Sequence, residues 1–131
     1  MNNDFWDPLL EVARQSAQQA YAPYSKFAVG AALLCLDGTI VKGCNVENAS
    51  YGLCICAERT AATTAIMQGQ RDWKAIAVVS PTGVSPCGAC RQFLAEFAPE
   101  IEIAIGTLTA GSGFRTTNLA KLLPDQMNLE L

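Results

Sequence analysis

Two short stretches of the chain carry residue types spaced for metal chemistry. Cys56-Ala57-Glu58 and Pro86-Cys87-Gly88-Ala89-Cys90 each stand where a helix is expected to begin. A helix N-terminus presents free N–H groups and a partial positive charge, and both favour the thiolate, the form of cysteine that binds metal. Cys56, Cys87 and Cys90 with a fourth position left open make the pattern of a catalytic zinc site, since a structural site is closed by a fourth protein ligand. No histidine exists in the chain to close it. Cys54 precedes the expected helix start, so its side chain is expected to point elsewhere. A divalent cation with three thiolates carries net negative charge, which weakens it as a Lewis acid. Arg59, next to Glu58, and Arg91, next to Cys90, are the candidates to offset that charge by donating to the sulfurs, Arg59 first. Glu58 sits two residues after a ligand, beside the metal without being a ligand, which suits a proton shuttle.

The elements that position these residues are legible from periodicity. From Asp7 to Ala20, Leu9, Val12, Ala13, Ala17 and Ala20 fall at helical spacing, with Asp7 as the expected N-cap and Pro8 at the first helical position. Phe27 to Leu36 reads as a buried strand, Asp37-Gly38 as a hairpin turn and Thr39 to Val46 as the returning strand. Cys56 to Gln68 is an alanine-rich helix ending at Gly69. Trp73 to Ser80 is a strand, Gly88 to Phe97 a helix and Ile101 to Leu108 a fourth strand. Phe114 to Thr117 is expected as a short fifth strand, and Leu119 to Leu123 as a short helix before Pro124. Strands alternating with helices predict an α/β three-layer α-β-α sandwich with a mixed five-stranded sheet, the opening hairpin supplying its antiparallel part. Residues 1–131 are read as a single domain, with no repeat or linker.

Composition narrows the function. Half of the 131 residues are apolar and only 16% are charged, against about 25% in an average domain. That excess favours burial between subunits. The net charge of −3, with no Lys/Arg cluster, disfavours a grip on long nucleic acid. Met1 to Pro8 lacks the basic and apolar regions of a signal peptide, and the longest apolar run is too short to span a membrane. A cytoplasmic protein is expected, and in such a protein six cysteines point to metal or catalysis before disulfides. The missing histidine excludes Ser-His-Asp and Cys-His chemistry and zinc motifs built on two histidines. Cys35, Cys44 and Cys54 are read as small buried hydrophobes.

A Cys-Ala-Glu followed by Pro-Cys-x-x-Cys is the arrangement of the zinc nucleobase deaminases, with Cys56 where others carry histidine. The chain resembles the small, homotetrameric, zinc-dependent cytidine deaminases through four segments: Ala22–Phe27, Gly43–Gly52, Cys56–Ala61 and Ser85–Gln92. The resemblance implies a cytidine deaminase-like fold and one Zn2+ per subunit. It also implies a small nucleoside substrate and active sites shared between subunits of a homotetramer. It places Phe27 against the pyrimidine ring, Asn45 and Glu47 on the ribose hydroxyls, and Ala57 and Glu58 on the base. Ala49 and Tyr51 would reach a neighbouring subunit's site. Members usually carry an aromatic residue shortly after the Leu-Leu-Pro segment, lying over the substrate. Here Leu122-Leu123-Pro124 is followed by Asp125-Gln126-Met127, so Met127 is the candidate lid, covering the ring less rigidly than an aromatic would.

The expected reaction is hydrolytic deamination of cytidine, with deoxycytidine as a further substrate. Glu58 moves protons between the attacking water, the ring nitrogen N3 and the leaving amino group. The alternatives are a deaminase of another cytosine-containing small molecule, such as a nucleoside antibiotic, and a non-catalytic zinc-binding or redox module. Glu58 argues against the latter, and the acidic charge argues against a polynucleotide editor.

Overall fold

The computed structural model describes residues 5–129, so Met1–Asp4, the first half of the segment read against a signal peptide, lie outside the described residues. Its elements are α1 (Trp6–Ala17), β1 (Gly30–Cys35), β2 (Ile40–Cys44), α2 (Ala57–Met67), β3 (Trp73–Ser80), α3 (Gly88–Phe97), β4 (Glu102–Thr107), β5 (Phe114–Asn118) and α4 (Leu119–Leu122), with one 3₁₀ turn at Tyr51–Leu53. The strands pair in the order β2-β1-β3-β4-β5. Only β3 and β4 run parallel; β1–β2, β1–β3 and β4–β5 are antiparallel. The antiparallel share is therefore larger than the opening hairpin alone, because β3 returns beside β1 and β5 folds back on β4.

Alternation along each strand divides the core into two layers. On one face α1 lays Trp6, Leu9, Leu10 and Ala13 over Ala32, Leu34, Ala75, Ala77, Val79 and Ala104. On the other, Ala57, Ala61, Ala62 and Ala65 of α2 pack with Leu33, Val41, Ile76, Val78, Ile103 and Ile105, joined by Leu94 of α3 and Leu119 of α4. This is the three-layer sandwich expected from the sequence.

Two glycines let the helices lie close to the sheet. A Cβ on Gly30 would come within 1.9 Å of the Ala13 carbonyl oxygen, and one on Gly43 within 2.3 Å of the Ala57 carbonyl oxygen. The second contact seats the first turn of α2, which carries the site.

The expected boundaries hold within a few residues, with one physical exception at each long strand. The chain from Phe27 to Val29 is not part of β1, and Asn45–Val46 are not part of β2. The Asn45 side chain accepts from the Val29 N–H at 2.9 Å and donates to the Phe27 carbonyl at 2.8 Å. The Asn45 N–H still donates to the Val29 carbonyl at 3.2 Å, so the side chain reinforces the backbone pairing just beyond the strand ends. The helix α1 begins at Trp6, one residue before Asp7, with Phe5 at the N-cap position.

Candidate active site

Cys56 and Cys87 are the N-cap residues of α2 and α3, each with extended backbone and no side-chain capping bond. They occupy the position where Ser or Asp would normally receive the helix N–H groups. Cys90 lies one turn into α3 and is fully buried, Cys56 is half-buried and Cys87 is exposed. The two helix N-termini converge, and the three Sγ atoms lie within 4.8 Å of one another. Cys56 Sγ and Cys87 Sγ are 3.7 Å apart. Two sulfurs bound at about 2.3 Å to one tetrahedral ion would stand about 3.8 Å apart. The donor set therefore fits zinc in both chemistry and spacing.

The electrostatics of the cluster are uneven. A hydrogen bond from Cys90 to the Cys56 sulfur, aided by Arg59, pulls the Cys56 thiol well below its ordinary range. The same bond, together with burial, pushes Cys90 upward. Cysteine must lose its proton to bind a metal, so a cation held here would displace the protons of these thiols. Arg59 Nη2 donates to Cys56 Sγ at 3.6 Å, and that bond raises the guanidinium further. Arg59 Nε is buried with no partner among the described residues, leaving a second donor beside the thiols. Arg91, the other candidate, is turned away from the sulfurs. It donates to the Pro86 and Leu122 carbonyls and to Ser85 Oγ.

Glu58 lies in the first turn of α2, 4% exposed. Burial lifts its carboxyl to about 7, with the Cys56 charge adding to the effect. At that value the group both takes and gives a proton near neutral pH.

Cys56, Cys87 and Glu58 open into a cavity of about 230 Å³ that Asn45 and Glu47 also line. Its walls are mainly apolar, from Val29, Val46, Ile55, Val78 and Val84. A few convergent polar groups in an apolar cleft is the usual form of a small-molecule site. The loop leading to Cys87 is shaped by Ser80, whose fully buried hydroxyl accepts from the N–H groups of Gly83 and Val84 at 2.9 and 3.0 Å.

Of the remaining expected residues Glu47 lines this cavity, while Phe27, Ala57, Ala49, Tyr51 and Met127 do not. Glu47 accepts from the Tyr24 and Ser25 N–H groups at 3.0 and 3.1 Å and from Ser25 Oγ, and these bonds lower its carboxyl. Phe27 is half-buried and tied to Asn45 through its carbonyl. Ala57 is fully buried under the first turn of α2. Tyr51 faces an adjoining cavity that shares Glu47 and Cys54, while Ala49 and Met127 are exposed and line neither.

Cys54, expected as a small buried hydrophobe pointing away from the site, stands instead on the cavity wall. It is half-buried and lines both cavities, and its sulfur accepts from the Asn48 N–H at 3.3 Å. The signal was its place two residues before a ligand, at the end of a strand-like bridge between Ile55 and Val46. The loop residues Val84 and Ser85 were not singled out, because apolar and hydroxyl side chains in a loop carry no periodic signal.

Comparison with known proteins meets this geometry. Residues 6–105 match the cytidine and deoxycytidylate deaminase zinc-binding region. A cytidine deaminase of Sporosarcina psychrophila is 48% identical over 126 residues, covering 95% of this chain and 92% of its own. One from Mycobacterium tuberculosis is 42% identical over 127 residues, covering 95% and 91%. The crystal structure of cytidine deaminase from Burkholderia pseudomallei superposes with a TM-score of 0.88 at 46% identity, over 97% of this chain and all of that one. A three-thiol cluster at two helix N-termini, a buried carboxyl beside it and this likeness over nearly the whole length agree: the chain belongs to the cytidine and deoxycytidylate deaminase family.

Proposed function

We propose that the protein is a cytidine deaminase that hydrolyses cytidine and deoxycytidine to uridine and deoxyuridine with release of ammonia. The observation that carries this is the buried Glu58 carboxyl that opens, beside three clustered thiols, into one small cavity. Cys56, Cys87 and Cys90 would hold one zinc ion per subunit, with Arg59 offsetting the thiolate charge. Zinc held there supplies the Lewis acidity that makes water nucleophilic near neutral pH.

Glu58 does the proton work. Its carboxylate accepts a proton from the attacking water and delivers it to N3 of the base. It then helps protonate the 4-amino group, which leaves C4 as ammonia while the water oxygen remains. The apolar walls exclude bulk water and strengthen each of these contacts. Phe27 packs against the pyrimidine, and Ala57 lies beneath the base. Asn45 and Glu47 bind the ribose hydroxyls. Their present bonds to backbone leave a second amide hydrogen on Asn45 and free lone pairs on Glu47 for that purpose.

The subunits assemble as a homotetramer in which Ala49, Tyr51 and the Met127 lid serve a neighbour's site. Support comes from the exposed apolar side chains around the cavity mouth. Tyr51 is 79% and Leu53 64% exposed, with Tyr21, Val46 and Ile55 beside them, an arrangement that marks an association surface. The six free cysteines agree with a cytoplasmic location. No helix of the described residues is long and apolar enough to cross a membrane.

The test is a turnover assay on cytidine, deoxycytidine and a cytosine-containing oligonucleotide, with metal analysis on the same sample. Turnover of both nucleosides with about one zinc per chain is expected. Deamination of the oligonucleotide alone would overturn the reading.

A further inference from the structure

The exposed position of Cys87 raises the question of what holds it. Cys90 is fixed by complete burial and Cys56 by the seat of α2 on Gly43. Cys87 is exposed, at the end of a loop, and its thiol meets only the Cys56 sulfur, so its place is set chiefly by its backbone. The residue before it, Pro86, is fully buried and has a carbonyl that must find a donor there. That donor is Arg91 Nε, at 2.8 Å. The same guanidinium donates through Nη2 to Ser85 Oγ at 2.9 Å and through Nη1 to the Leu122 carbonyl at 2.8 Å. Leu122 is the last residue of α4, whose terminal carbonyls lack partners inside that helix.

One planar cation therefore ties three points: both residues preceding Cys87, and the end of the C-terminal helix. The fork matters, because a lysine ammonium is a single point charge and cannot hold three separated acceptors in one plane. With Ser80 holding Gly83 and Val84 at the loop's other end, the segment from Ser80 to Cys87 is pinned at both ends.

We propose that Arg91 is a positioning residue of the metal centre: it staples Ser85 and Pro86 to α4, and so fixes the Cys87 thiol where it closes the ligand set. This rests on the reading of Cys87 as a metal ligand. Arg91 reaches the metal only through backbone, so its removal should loosen the ion while leaving the other two ligands in place. Outer-shell partners of metal ligands typically contribute about 10–100-fold in affinity.

The experiment compares zinc release from the loaded parent, Arg91→Lys, Ser85→Ala and Cys87→Ala into a chromogenic chelator, with the cobalt(II) forms recorded in absorption. Thermal melts establish that each variant folds. Arg91→Lys is expected to release zinc about tenfold faster or more, with altered thiolate-to-cobalt bands, and Ser85→Ala to show a smaller change in the same direction. Ser85→Ala removes one acceptor without disturbing charge, and keeps the proposal falsifiable should the Arg91 variant fail to fold. A folded Arg91→Lys, or a Ser85→Ala standing in for it, that releases zinc at the parent rate with the parent cobalt spectrum would overturn the staple and leave the ligand set intact. Full zinc stoichiometry in Cys87→Ala would instead overturn the ligand reading, and the staple with it.

Discussion

On the α1 face the helix contributes the bulk, Trp6, Leu9 and Leu10, and the sheet answers mostly with alanine, Ala32, Ala75, Ala77 and Ala104 beside Leu34 and Val79. On the α2 face the helix is small, Ala57, Ala61, Ala62 and Ala65, and the sheet is large, with Leu33, Val41, Ile76, Val78, Ile103 and Ile105. Each face also has one glycine under its helix. Gly30 lies beneath the last turn of α1 and Gly43 beneath the first turn of α2. A helix with bulky side chains can shift slightly and repack them. A helix whose alanines rest on the sheet is located by its backbone. The second arrangement carries Cys56 and Glu58, so the chemistry is mounted where position is least adjustable.

The largest expected effect falls on that mounted turn. Glu58→Gln keeps the shape and the three thiols but cannot move a proton. We expect kcat on cytidine to fall by about 10²–10⁴-fold with zinc content unchanged. Near-parental turnover would remove Glu58 from the chemistry and, with it, the distinction between the faces. The same pair of proteins, stripped of metal, reads out the burial of Glu58. In the fold its carboxyl holds a proton up to about pH 7, and the unperturbed group releases it near 4.5. The folded form thus binds more protons between these values. The stability this confers is present below about 4.5 and lost as pH rises through 7. Relative to Glu58→Gln, the metal-free parent should lose about 3 kcal/mol across that window, measured by denaturant melts. A constant difference would show that Glu58 ionises as freely as an exposed residue.

Next in size is the pair of glycines. Gly30→Ala and Gly43→Ala each force a Cβ against helix backbone, and each should cost about 1–3 kcal/mol in a melt. They should part on metal. Gly43→Ala displaces the turn that carries Cys56 and should weaken zinc by about tenfold or more. The folded fraction of Gly30→Ala should hold zinc as the parent does, because α1 carries no ligand. Equal weakening by both, in a chelator competition, would mean that the two faces move together.

The features legible in the sequence follow this division. Elements announced themselves by local pattern: Trp73–Ser80 and Gly88–Phe97 fall where expected, because a short apolar run and the residues that bound it act within a few positions. The metal triad and Glu58 were legible because cysteine types at fixed offsets from a helix start leave few other uses. The roles of Gly30 and Gly43 were not, since close approach is a property of what crosses above the strand. Arg91 shows the same limit. Its adjacency to Cys90 pointed to the sulfurs, but the helix turns it toward Pro86 and Leu122, which only the packing of α4 brings within reach. Asn45 was expected to serve a ligand, and the local bonds that also occupy it depend on where β1 and β2 end.

The smallest effect tests whether burial of a polar group is itself what sets the faces apart. The helix on each face buries one polar side chain, Ser16 on α1 and Glu58 on α2. Ser16 donates to the carbonyl of Val12, one turn back in its own helix, at 2.8 Å. That bond satisfies the hydroxyl locally, and such back-bonding slightly disfavours the helix it occupies. Glu58 has no ion-pair partner among the described residues, and its burial is maintained at the cost of a displaced pKa. Ser16→Ala should therefore change stability by no more than about 0.5–1 kcal/mol and leave zinc binding and turnover untouched. A large loss would mean that α1 also depends on a polar anchor, and the contrast would then rest on the glycines alone.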